Sequence, residues 1–137
     1  MAFTRIAGSR EIYDDWSVSH APAAATQATA TRAAPADKFR GQNLRNICTG
    51  LTVMLVAGAA APAAVQVTAR LIDGASGGSA ILWQAVLSIP AVAGAASGID
   101  RVSLWIPGSV GTAMTLEFSA GAGANTVESV SMEGTIQ

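Results

Sequence analysis

Over residues 65–90 the chain alternates apolar and polar positions with a period of two. Val65, Val67, Ala69 and Leu71 share one face of an extended segment, and Gln66, Thr68 and Arg70 take the other. After Asp73-Gly74-Ala75-Ser76-Gly77-Gly78 the alternation resumes at Ile81, Trp83, Ala85, Leu87 and Ile89. This is the period of a strand with one buried face. Asp73-Gly74 opens the connection and Gly77-Gly78 closes it, residues suited to positive φ, so the pattern predicts an antiparallel hairpin with a loop longer than two residues.

The same design runs on through the rest of the chain. Strands are predicted over 47–57, 64–73, 79–89, 101–106, 113–119 and 127–135. The breaks between them carry turn residues: Gly58 with Pro62, Pro90 with Gly94 and Gly98, Pro107-Gly108, and Gly121 with Gly123 and Asn125. Met114, Leu116 and Phe118 form one inward row, and Val102, Leu104 and Ile106 another, which turns Trp105 outward. Upstream, residues 21–36 alternate Thr26, Ala28, Ala30 and Arg32 against Gln27, Thr29, Thr31 and Ala33, bracketed by Pro22 and Pro35, as an edge strand would be. Residues 1–20 show no sustained period and read as an irregular arm, with Tyr13 and Trp16 as anchors on its own domain or on another subunit. Residues 37–46 concentrate charge and read as a loop.

Short strands at even spacing with glycine and proline turns predict an all-β fold, an antiparallel sandwich or barrel. At 137 residues, one domain with a substantial core is expected. The expected division is an arm with an edge strand over 1–38 and a sandwich domain over 39–137. The apolar stretch 47–65 alternates Leu51, Val53 and Leu55, breaks at Gly58 and contains Pro62, so it reads as strand and turn and not as a membrane helix. No signal peptide is expected, because charged residues follow the first five positions.

Composition narrows the partners. Half of the residues are hydrophobic, but only 12% are charged and 5% aromatic. Residues 1–45 hold six basic and four acidic groups, net +2; the remainder holds two basic and five acidic, net −3. A chain with overall charge −1 lacks the basic balance of a nucleic-acid binder, and a poorly charged surface suits a subunit packed against neighbours.

Candidate chemistry is sparse. His20 has no cysteine or carboxylate at ligand spacing, and neither a metal nor another cofactor is expected. Cys48 is the single cysteine, cannot form an intrachain disulfide and reads as a small buried hydrophobe. The Gly74–Gly78 segment joins two strands and lacks the lysine and hydroxyl pair of a phosphate-binding loop, so it reads as a turn. Asp73, Asp100, Glu117, Glu128 and Glu133 are dispersed and are expected to keep the outer faces wet, although Glu117 and Glu133 could meet across strands. No enzyme is expected.

Three passages carry a family resemblance: DDWSVSHAPAAATQATATRAA (residues 14–34), RLIDGASGGSAILWQAVLSIPA (residues 70–91) and MTLEFSAGAGANTVESVSMEG (residues 114–134). The chain resembles the decoration, or cement, proteins that bind the outside of tailed bacteriophage capsids. The resemblance implies a jelly-roll-like β-sandwich with an irregular N-terminal arm. It also implies a homodimer or homotrimer on the outer capsid surface of the virion, bridging neighbouring major capsid proteins without nucleic acid or membrane as partner. Tyr13, Trp16, Arg40, Arg45 and Trp105 are the residues expected at capsid or subunit contacts. Two alternatives stand beside it: a tail, neck or fibre component, and a carbohydrate-binding module using Trp83 or Trp105 as a sugar platform.

Overall fold

A computed structural model of the chain describes residues 15–36, 43–60 and 63–137. The strands are β1 (Asp15–His20), β2 (Thr29–Arg32), β3 (Asn46–Ala57), β4 (Val65–Asp73), β5 (Ile81–Ile89), β6 (Ala96–Arg101), β7 (Ile106–Pro107), β8 (Met114–Phe118) and β9 (Thr126–Ile136). Among the described residues no helix is long and apolar enough to cross a membrane.

The strands form two antiparallel sheets. Sheet A has the order β1-β9-β3-β6, with β7 also on β3, and sheet B the order β2-β8-β4-β5. Apart from the β4–β5 hairpin and the short β6–β7 continuation, every connection passes from one sheet to the other. That order is the eight-stranded jelly roll, two Greek keys folded into one sandwich. The core lies between the inner faces, where Leu51, Val53 and Leu55 of β3 meet Leu71 of β4, Leu116 and Phe118 of β8, and Val130 and Met132 of β9, all buried.

The predicted hairpin is present: Val67, Ala69 and Leu71 point inward and pair with Leu87, Ala85 and Trp83. Gly74 and Gly77 in its loop take positive φ of 141° and 80°. The row breaks at one end. The register skips Leu82 between Trp83 and Ile81, so Ile81 pairs with Ile72, while Leu82 and Trp83 pack on the core. The extra residue moves Ile81 off the inner row. Ile72 is buried on the outer face instead, under the loop that follows β4, where a side chain added at Gly78 would press on its Cγ2 at 2.9 Å.

Two further expectations change. Asp15–His20 is a full strand of sheet A, paired with β9 from Thr135 to Val130; β2 is the edge of sheet B as its threonine and alanine pattern implied. The described part of the expected 1–38 arm, residues 15–36, is therefore integral to the sandwich; its residues 1–14, 37 and 38 lie outside the described residues. The strand expected over 101–106 instead ends at Arg101, turns at Ser103 with φ of 56°, and resumes as β7. Val102 is consequently 69% exposed, while Leu104 and Ile106 do pack on the core.

Candidate functional site

The outer face of sheet A is where these irregularities converge. On β3 the register shifts between Cys48, opposite Gly134, and Gly50, opposite Glu133, leaving Thr49 as an extra residue. At the same level, on the other side of β3, the edge strand breaks into β6 and β7, and the Leu104 N–H donates to the Thr49 carbonyl at 2.9 Å. Paired irregularities of this kind re-aim side chains. Here they expel Val102 and Trp105, the latter 57% exposed, from a segment hydrogen-bonded to β3 before, within and after the break.

Beside this break lies an open groove of about 400 Å³. Ser17, Thr52 and Ser131 line it with hydroxyls, and Asp100 and Glu133 add carboxylates on either side of β3. The Thr52 hydroxyl donates to Asp100 Oδ1 at 2.7 Å. Gly50 has a specific reason to be glycine: a Cβ there would come within 2.8 Å of Glu133 Oε1, so its absence lets the Glu133 side chain lie across the strand. The groove offers carboxylate acceptors and hydroxyl donors, and Arg101 adds a cationic side chain to its lining. Among the described residues no group of three or more His, Cys, Asp or Glu is placed to hold a metal ion.

The expected contact residues are not gathered into one patch. Tyr13 and Arg40 lie outside the described residues. Trp16 is 7% exposed and belongs to the chain's own core: it pairs with Gly134, which leaves room for its indole, and Arg32 of sheet B stacks over the ring with its guanidinium 5.8 Å from the centroid. This corrects its assignment to an external contact, since a strand with Trp16 and Val18 in phase turns both toward the core, Trp16 buried and Val18 partly buried. Arg45 is half-buried, and its backbone exchanges hydrogen bonds with Gln137 at the start of β3. Trp105 alone of the described set presents a large apolar surface to the outside. Trp83 is half-buried against the core and gives no open platform.

Two of the five carboxylates are not on wet faces. Glu117 is fully buried on the outer side of sheet B beneath the β4–β5 loop, and Glu128 is fully buried inside the sandwich. Glu117 stands on β8 in sheet B, whereas Glu128 and Glu133 both stand on β9 in sheet A, so Glu117 and Glu133 do not meet across strands. Glu117 binds the glycine-rich loop: Ser76 donates its hydroxyl, Gly77 its N–H at 3.1 Å, and Arg70 its guanidinium at 2.7 Å. The turn's polar groups are thus committed to an internal acid. Cys48 is buried as expected, and burial pushes its thiol up to about 11.

No protein-family model matches the chain, and no curated protein matches it in sequence. Solved structures similar to it include a CBM4 carbohydrate-binding module, 14% identical over 94% of this chain and 83% of that one, with a TM-score of 0.39. The coat protein of Tobacco streak virus is 9% identical over 89% and 85% of the two chains, with a TM-score of 0.36. The Tomato aspermy virus structure is 11% identical over 89% and 76%, with a TM-score of 0.34. These are weak likenesses of fold, and viral coat proteins are among them.

Proposed function

We propose that the chain is a non-enzymatic structural protein of a tailed-phage virion that decorates the outer capsid surface and bridges neighbouring major capsid proteins. The observation that carries this reading is the broken edge of sheet A, where Val102 and Trp105 stand out from a backbone fixed on both sides. A large exposed aromatic on a preorganised frame is the kind of anchor that concentrates binding energy, because little is lost in ordering it. The sparse charge of the chain as a whole, 12% of its residues, suits a surface that is covered in use. Many copies of a modest contact, repeated over a shell, resist internal pressure through avidity.

The test is cosedimentation of the purified protein with capsids of its own virus assembled without it, followed by heating. Binding in fixed stoichiometry, together with a higher temperature of shell disruption, is the expected result. Absence of binding overturns the capsid reading and leaves a tail, neck or fibre position.

One observation favours a second reading. The hydroxyl- and carboxylate-lined groove beside Val102 offers sugar-type hydrogen bonding, and Trp105, three residues further along the same segment, offers an exposed ring for stacking. A saturable change in tryptophan fluorescence on adding oligosaccharides, lost in Trp105→Ala, would establish that reading.

A further inference from the structure

Every open sheet edge presents unpaired backbone donors and acceptors, and natural proteins blunt such edges with short strands, charge, proline or bulges. Three of the four edges here are blunted. β1 has six residues, opens with Asp15 and ends at His20, whose Nδ1 accepts the Thr29 N–H at 3.0 Å. β2 has four residues, ends in Arg32 and is soon followed by Pro35. β6 is interrupted at Ser103 and continues only as the Ile106–Pro107 pair.

β5 is different. It runs for nine residues, ILWQAVLSI, without a charge or a proline, and its bulge at Leu82 lies near one end. It pairs with β4 on one side, and among the described residues no strand is hydrogen-bonded to its other side. Among the described residues no backbone partner meets the edge of 83–87 that faces away from β4. Its side chains match that exposure: Val86 is 57% exposed on the outer face, and Trp83 is only half-buried at the rim of the core.

We infer that β5 pairs with β5 of a second copy of this chain, antiparallel about a two-fold axis at Ala85, joining two four-stranded sheets into one of eight strands. The occupant follows from the edge itself. Free strand groups are satisfied by another strand, and an uncharged edge bears no opposite charge through which it would select a foreign one. A two-fold interface requires a self-complementary patch. The register about Ala85 supplies one: Trp83 meets Leu87 of the inner row, and Gln84 meets Val86 of the outer row. The partner's strand would cover the exposed rim of Trp83, which the monomer leaves half-finished. This inference is independent of what the assembled protein binds.

The register makes a specific test possible, because Gln84 and Val86 are both exposed on the outer face and can be changed without touching the core. Sedimentation equilibrium of the full chain is expected to show a dimer. Q84K/V86K places lysine against lysine twice across the axis and is expected to weaken association by about tenfold. Q84K/V86E places lysine against glutamate twice and is expected to restore it. Unchanged far-UV circular dichroism in each variant shows that the fold persists. A monomeric parent, a dimer indifferent to Q84K/V86K, or two charge variants that fail alike would each overturn the proposal.

Discussion

The carboxylate of Glu128, on β9 of sheet A, accepts the backbone N–H of Ala28, just before β2 of sheet B, at 2.8 Å inside the sandwich. Both residues have zero exposure, and among the described residues no donor is in good hydrogen-bond geometry to Glu128 Oε1. Burial therefore favours the neutral acid and pushes its carboxyl up from 4.5 to about 7, against the opposing hydrogen bonds from Ala28 and Ala122. A carboxyl raised in the folded state stabilises fully below its ordinary value, and that contribution disappears as pH rises through about 7. The difference is of order 3 kcal/mol. Thermal melts are expected at higher temperature at pH 5 than at pH 8. Glu128→Gln, neutral at every pH, should raise the melting temperature at pH 8 and flatten the dependence; parallel curves for the two proteins would contradict this assignment.

Glu117 shows the opposite balance. Burial pushes its carboxyl up, but hydrogen bonds from Ser76, Arg70 and Gly77 and the Arg70 charge outweigh burial and hold it below 4.5. Its stabilisation is therefore present above the ordinary carboxylate range and is lost as pH falls through the lowered value. Arg70→Ala leaves the carboxylate buried with only Ser76 and Gly77 as donors. Because the Arg70 side chain is 25% exposed, water offsets part of the loss, and a cost of about 2 kcal/mol is expected in urea unfolding. Amide exchange at Gly77 should accelerate in the same variant.

Much of this fold is legible in the alternation of residues. Val67, Ala69 and Leu71 announce β4, and Met114, Leu116 and Phe118 announce β8, because a strand with one buried face must repeat every two residues. The same rule would have placed Glu128 inside, in phase with Val130 and Met132, had its charge not argued for solvent. What parity cannot show is an added residue. The extra positions at Thr49 and Leu82, and the break at Ser103, shift the phase, which is why Ile81 and Val102 leave their rows. Nor does local pattern reveal that the Gly74–Gly78 turn folds back on Glu117, 40 residues away. Of the candidate site, Trp105 was readable from its phase; the Gly50 and Glu133 arrangement depends on the pairing of β3 with β9.

Gly134 is the point where sheet A lets Trp16 in. A Cβ at this position would collide with the Ile47 carbonyl of the neighbouring strand and with the Trp16 indole. The first contact is with backbone, so the β9–β3 ladder must move to relieve it. Gly134→Ala is expected to destabilise by about 3 kcal/mol, at the upper end for overpacking, and to lower the urea midpoint without changing the slope. A midpoint equal to that of the parent would show that the ladder yields freely.

Trp105 separates stability from binding. At 57% exposure it makes little of the core, so Trp105→Ala is expected to change unfolding free energy by no more than about 0.5 kcal/mol. If it is the anchor of the capsid contact, the same substitution should cost about 2 kcal/mol of binding, roughly thirtyfold in affinity, as a central aromatic does when truncated. Val102→Ser, beside it and 69% exposed, should cost less, because less apolar surface is removed. Cosedimentation titrations against capsids, with urea melts of the same preparations, read both quantities. Equal capsid affinity in Trp105→Ala and parent would remove the broken edge of sheet A from the contact, whereas a joint loss of stability and binding would show that Trp105 supports the fold and not the interface.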